Sequence, residues 1–211
     1  MLVVFGAAIF LSAGTPNYVQ AWVFIAIFAG CGAGITVYLW KYDPQLLERR
    51  ESAGPAAETR KSQKLMMAFC NVGVMAILVI AGLDHRWNWS HVPTAMSVLG
   101  DILTVAGGCF VFLVFRTNSF ASATIEIAED QRVISTGPYS VVRHPMYTGV
   151  LVWLIGTPLA LGSYWGLPII VAMMPALAWR IVDEEGFLAR RLSGYAEYQK
   201  MVRYRLVPFI W

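Results

Sequence analysis

The feature that most constrains this chain is a set of apolar stretches as long as a bilayer is thick. A helix crossing hydrocarbon needs roughly 20 mostly apolar residues, because its backbone must satisfy its own hydrogen bonds over the whole thickness. Four stretches meet that length: Tyr18–Trp40, Leu65–Leu83, Pro93–Phe115 and Tyr164–Val182. Two shorter ones, Met1–Ala13 and Met146–Gly162, sit near the lower limit and predict tight hairpins with their neighbours through Gly14-Thr15-Pro16-Asn17 and Gly162-Ser163. With 57% of residues hydrophobic and 14% charged, the chain falls in the membrane class. The expected fold is all-α: a polytopic membrane protein of five to six transmembrane helices.

Charge placement predicts topology independently of hydropathy, since Lys and Arg beside spans are retained on the cytoplasmic side. Of the 16 basic residues, only Arg86 falls on the other face when six spans are threaded. Loop Lys41–Lys64, loop Arg116–Pro145 and the tail from Arg180 hold the rest, so both termini and both long loops are expected to be cytoplasmic. No Lys or Arg precedes Lys41, so Met1–Ala13 lacks the charged start of a signal peptide. The absence of a targeting signal fits the plasma membrane of a prokaryote.

The net charge of +3 then reflects topology and attraction to membrane lipid headgroups. No soluble basic domain is available to hold nucleic acid, so that partner is excluded. Cys31, Cys70 and Cys109 each lie inside a span without paired spacing, which signals neither a disulfide framework nor a metal site.

The chain reads as one integrated domain, with transmembrane helices in residues 1–115 and the candidate chemistry in residues 116–211. Loop Lys41–Lys64 mixes both charges around Gly54-Pro55 and reads as an interfacial helix, a break and a second interfacial helix. Loop Arg116–Pro145 is long for a connection inside a compact protein, and long loops tend to be functional. Its apolar runs Ala123–Ala128 and Val133-Ile134, followed by the turn Ser135-Thr136-Gly137-Pro138-Tyr139, predict folding against the membrane face. The tail Glu185–Trp211, broken at Ser193-Gly194, reads as amphipathic surface helices.

Candidate chemistry concentrates after Arg116. Pro145 is suited to a first helical position, which puts Arg143-His144 at a helix N-terminus, where free amides and the dipole favour an anion. Asp183-Glu184-Glu185 ends the last span on a face otherwise flanked by Lys and Arg. Arg143 and Glu184 are about forty residues apart, one crossing up and one down, so a helical hairpin returns the acids to the Arg-His face. Such a cluster suits a ligand carrying both a carboxylate and a positive charge; a structural ion pair is the competing reading.

Arg203 and Arg205 lid this site, bind an acidic acceptor, or hold headgroups. Gly149, Gly156 and Ala160 form a small-residue face for close helix packing. Asp101 lies near the outer end of a span, at a wetted interface.

Taken together, Ser135-Thr136-Gly137-Pro138-Tyr139, Arg143-His144-Pro145-Met146-Tyr147-Thr148-Gly149, Ile155-Gly156-Thr157, Trp179-Arg180, Glu184-Glu185 and Tyr195-Ala196-Glu197-Tyr198 resemble the isoprenylcysteine carboxyl methyltransferases, relatives of the phospholipid methyltransferases. The resemblance covers about the last hundred residues. It implies an all-helical membrane enzyme that holds S-adenosylmethionine in a cytoplasmic pocket formed by a loop and the C-terminal helices. It also implies a lipid-like or prenylated acceptor that enters sideways from the membrane.

On this resemblance the cofactor residues are Gln131, Tyr139, Arg143, His144, Pro145, Tyr147, Gly149, Glu184 and Glu185. Arg203 and Glu184 are the catalytic candidates, with Arg203 on the acceptor side. Two departures stand out. Gln131-Arg132-Val133-Ile134 occupies the place of a His-x-Leu-Val run, and the tail arginine is shifted in register. The leading expectation is methyl ester formation on a prenylated cysteine, with no metal involved. Phosphatidylethanolamine N-methylation is the close alternative; an NADPH-dependent sterol-type reductase and a non-enzymatic membrane scaffold are the further ones.

Overall fold

The computed structural model describes residues 1–51, 61–121 and 131–211, with the backbone alone at 61 and 62. Among these residues the protein is all-helical. Its helices are α1 (Leu2–Ala13), α2 (Val19–Tyr42), α3 (Pro44–Glu51), α4 (Lys61–Trp87), α5 (Thr94–Thr117), α6 (Pro145–Ala160), α7 (Gly166–Arg191) and α8 (Tyr195–Met201), with one 3-10 turn at Gly137–Ser140. Four are long and apolar enough to cross a membrane: α2, Gln63–Trp87 of α4, α5 and α7. They coincide with the four long stretches read from sequence, and the two shorter stretches form α1 and α6. The expected polytopic helical fold is therefore borne out.

Both expected hairpin turns occur, and both rest on glycine. Gly14 (φ 68°) and Gly162 (φ 70°) take the left-handed conformation that other residues adopt only at a cost. Gly14 N–H bonds Phe10 O at 3.0 Å and so closes the last turn of α1.

The chain divides into two compact units. The first comprises Met1–Gly34, Phe69–Cys109 and Gly149–Met174. Its core joins Ile9 and Ala13 of α1, Ala21 and Phe24 of α2, Leu78 and Ala81 of α4, and Ala160-Leu161. Glycines bring α5 and α6 backbone to backbone. A Cβ on Gly156 would stand 2.7 Å from Gly100 O, one on Gly100 2.1 Å from Ala160 N, and one on Gly107 2.8 Å from Gly149 O. This is the small-residue approach that replaces hydrophobic driving force between helices in lipid.

The turns at one end of this unit are tied by Asp84. Its carboxylate, 1% exposed, accepts from Ser90 N and Oγ at 2.6 Å each and from Ser163 Oγ. Beside it Tyr18 stacks on His85 at 3.8 Å and donates its hydroxyl to Leu161 O. Asp101 has its Oδ1 buried without a partner among the described residues.

The second unit comprises Ile35–Ala68, Phe110–Thr148 and Pro175–Trp211. In it α3 is amphipathic and buries Leu46 against Leu39 and Phe115, while Arg49 and Arg50 donate to the carbonyls of Ser119 (2.9 Å) and Ala121 (3.1 Å). The second interfacial helix expected after Gly54-Pro55 falls on residues 52–60, outside the described set; from Lys61 the chain already belongs to α4. The run Ala123–Ala128 also lies outside it. The tail breaks at Gly194 as expected, and α8 packs Tyr195, Tyr198 and Val202 with Leu188, Leu192 and Val133.

Candidate active site

The second unit contains a polar network built from the first turn of α6, the last turns of α7, the opening of α4 and the tail after α8. Pro145 opens α6, as its missing N–H permits. The two residues before it are not left free. Arg143 N donates to Tyr204 O and His144 N to Arg205 O, both at 2.9 Å, and Thr148 Oγ1 donates to Leu206 O at 2.6 Å. Three bonds thus lace the tail along the N-terminal side of α6.

Glu185, 4% exposed, is the centre of this lacing. Its Oε1 accepts from Arg143 Nε at 2.6 Å and from His144 Nε2 at 3.2 Å, and its Oε2 accepts from Arg205 Nε at 2.9 Å. A carboxylate can only accept, so the contact at His144 places a proton on Nε2. Arg143 continues outward: its Nη1 donates to the carbonyls of Gln199 (3.3 Å), Val202 (2.8 Å) and Arg203 (3.2 Å), which end α8. The guanidinium thereby satisfies orphan C-terminal carbonyls with a positive charge, a favourable placement against the helix dipole.

Glu184, the next residue on α7, points about 100° away around the helix. Its Oε2 accepts from Tyr147 Oη at 2.7 Å, and its Oε1 lies 3.9 Å from His144 Nδ1, an ion-pair distance rather than a hydrogen bond. Its side chain is 23% exposed. Tyr147 in turn accepts from Arg180 Nε at 2.7 Å, Arg180 Nη1 donates to Gln63 Oε1 at 3.3 Å, and Gln63 Nε2 donates to Asp183. These partners fix the orientation of the Gln63 amide. One continuous path therefore runs from Asp183 through Gln63, Arg180, Tyr147 and Glu184 to His144 and Glu185.

Aromatic hydroxyls surround the network. Tyr139 accepts from Asn118 Nδ2 at 2.8 Å through its hydroxyl and from Tyr198 Oη at 2.7 Å through its carbonyl; burial pushes its pKa up to about 12. Tyr195, 5% exposed, differs: its hydroxyl has no hydrogen-bond partner among the described residues. Burial raises its pKa, and the nearby Glu185 and Glu184 carboxylates raise it further. An unpaired hydroxyl in such a place costs about 1–3 kcal/mol unless a ligand meets it.

Of the residues singled out from sequence, Arg143, His144, Pro145, Tyr147, Glu184 and Glu185 come together as the hairpin argument required. Gly149 belongs to the other unit, where its carbonyl lies against Gly107 of α5. Gln131 is half-buried. The Arg203 side chain is exposed, while its carbonyl caps Arg143.

Sequence reasoning missed Gln63 and gave Arg180 and Asp183 no roles of their own. The available signals were an amide at the entrance of an apolar span and an arginine one helical turn before Glu184 on α7. It also paired Arg205 with Arg203, although Arg205 turns inward to Glu185.

Comparisons with known proteins bear on this arrangement. Residues 95–194 match the phospholipid methyltransferase family model. The chain is 29% identical over 148 residues to protein-S-isoprenylcysteine O-methyltransferase B of Arabidopsis thaliana, covering 65% of this chain and 68% of the relative. This chain resembles isoprenylcysteine methyltransferases. A probable enzyme of that name from Oryza sativa subsp. indica is 26% identical over 174 residues (77% and 84% covered), and the Saccharomyces cerevisiae protein 32% over 129 (59% and 54%). The resemblance read from the C-terminal motifs is borne out, and the matched region contains every network residue from Tyr139 to Glu185.

Proposed function

We propose that this protein is a membrane methyltransferase that moves a methyl group from S-adenosylmethionine to a lipid-like acceptor, the carboxylate of a prenylated cysteine. The observation that carries the reading is the unequal fate of the two adjacent acids. Glu185 is engaged by two arginines and by His144, whereas Glu184 keeps an exposed edge backed by Tyr147 and His144.

A partly covered carboxylate beside an unpartnered buried hydroxyl fits a ligand with a cationic, hydrogen-bonding end. S-adenosylmethionine has such an end and, when bound, supplies a methyl group already activated by a sulfonium. Glu184 would hold that end by charge, and Tyr195 would meet it with its free hydroxyl. His144 and Tyr147 set the direction of the Glu184 side chain, and Arg143 and Glu185 lock the tail over the site. The protein's remaining task is alignment and exclusion of water, since a carboxylate acceptor needs no general base. Gln131, Tyr139 and Arg203 keep their proposed places around this centre, with the basic loops and tail on the cytoplasmic face by charge asymmetry.

The test is transfer of labelled methyl from S-adenosylmethionine to N-acetyl-S-farnesylcysteine by detergent-purified protein. Label in the product, lost in a His144→Ala, Glu184→Ala double variant, is the expected result; no transfer to this acceptor by a folded protein refutes the reading. The matched family model gives a second reading, transfer to a phospholipid amine. There Glu184 would also take the amine proton.

A further inference from the structure

Arg50 stands apart from the network above and is not explained by it. It lies in the last turn of the amphipathic helix α3, and its guanidinium lies 4.6 Å over the ring of Phe115. One N–H, on Nη1, donates to Ala121 O at 3.1 Å. A guanidinium has five donors, and no carboxylate among the described residues pairs with this one.

Burial pulls its pKa down, and the apolar cluster on which it lies includes Met146, the residue next to the network's central tyrosine. Neighbouring Arg49 has a comparable backbone tether, to Ser119 O, so holding the 118–121 segment does not require two arginines. A charge largely withdrawn from water without an anion is costly, and a bound anion removes that cost.

We propose that Arg50 receives the carboxylate of the acceptor. This rests on the methyl-transfer reading and names the residue that selects its substrate. The surroundings favour the acceptor over the carboxylate of the methyl donor: the guanidinium sits on the apolar cluster of Leu39, Leu46, Phe115 and Met146, suited to a prenylated molecule. In the reaction an acceptor carboxylate oxygen forms a bond to the methyl carbon as the S–CH3 bond breaks, with its electron pair left on sulfur. No proton moves. The acceptor therefore needs a permanent counter-charge that holds one oxygen while the other attacks, and a guanidinium cannot quench the nucleophile by protonating it.

The experiment measures binding of N-acetyl-S-farnesylcysteine and of its carboxamide to the full-length protein by calorimetry, without turnover. The parent should bind the acid about 10- to 100-fold more tightly than the amide. Arg50→Met should abolish that preference while leaving amide affinity and S-adenosylmethionine affinity within about twofold, and Arg50→Lys should restore part of it. Equal binding of acid and amide by the parent overturns the proposal, as does loss of S-adenosylmethionine affinity in Arg50→Met with the acid preference intact. If the acid preference depends on Arg50 yet the parent transfers no methyl group, the carboxylate site stands and the methyl-transfer reading falls.

Discussion

Replacing Glu185 by Gln keeps its size and shape while removing the charge that two arginines share and that His144 also contacts. The parent carboxylate accepts three bonds, from Arg143 at 2.6 Å, Arg205 at 2.9 Å and His144 at 3.2 Å, and is 4% exposed. The amide presents one oxygen and one NH2 group, so at least one arginine N–H would face another donor. Breaking a buried ion pair from one side costs about 3–5 kcal/mol, because the partner is left charged in a poor solvent. At about 2–4 °C per kcal/mol for a chain of this size, the thermal midpoint should fall by about 6–20 °C.

The damage should also be located. Arg143 would lose the contact that aims its Nη1 at Gln199, Val202 and Arg203, so the tail should become accessible to trypsin at Arg203 and Arg205. The assay is a thermal scan of purified protein at fixed rate, since membrane proteins commonly unfold irreversibly, together with timed tryptic digestion. Glu184→Gln is the comparison: its exposed edge and its acceptance from Tyr147 survive in the amide, so stability should change by less than about 1 kcal/mol. A Glu185→Gln protein within about 2 °C of the parent, with a protected tail, would refute the argument.

Three other outcomes follow from the same geometry. Gly156→Leu should cost about 2 kcal/mol or more, because its Cβ would stand 2.7 Å from Gly100 O and 2.8 Å from Thr104 N, backbone atoms that cannot step aside; Gly30→Ala, which meets nothing within 4 Å, should leave the thermal midpoint unchanged or slightly raised. Tyr195→Phe should raise ligand-free stability by about 1–3 kcal/mol, since it removes a buried hydroxyl that has no partner among the described residues, yet weaken S-adenosylmethionine binding in calorimetry; Tyr198→Phe should lose about 1 kcal/mol with its bond to Tyr139 O. Gln63→Leu should cost about 1–3 kcal/mol in thermal unfolding and slow methyl transfer, because it removes the amide that donates to Asp183 and accepts from the Arg180 that positions Tyr147.

The helices were legible because hydrocarbon leaves few alternatives: an apolar run of span length must be a helix, and its breaks fell on Gly14, Gly162 and Gly194. The meeting of Arg143 with Glu185 was legible for a related reason, since two spans joined by a tight turn return the chain to its starting face. Partner choice was harder. The motif offered Arg143 as a fork for a ligand, whereas its Nε and Nη1 are taken by Glu185 and by carbonyls of the α8 end, a pairing that depends on tail residues about sixty positions away. Gln63 was invisible for the same cause. An isolated amide at the mouth of a span carries no period or spacing, and only tertiary packing reveals that it joins Asp183 to Arg180.

The paired acids show how one dipeptide can serve two ends. Consecutive residues on a helix diverge by about 100°, so Glu184 and Glu185 cannot serve the same partners. Glu185 faces the tail and is neutralised by Arg143, just before α6, and by Arg205 of the tail it fastens. Glu184 faces Tyr147, which contributes a hydroxyl without neutralising it, and His144 Nδ1 stands 3.9 Å away, beyond hydrogen-bond distance, with Nε2 engaged by Glu185. The imidazole thus stands between the two acids, its orientation set by the structural one and its other nitrogen turned toward the exposed one. Exchanging the order of demands, with the free carboxylate buried and the paired one exposed, would leave an unpartnered charge in the interior at a cost of several kcal/mol. The fold avoids that cost by burying the acid that has three donors and leaving at the surface the one that has room for a ligand.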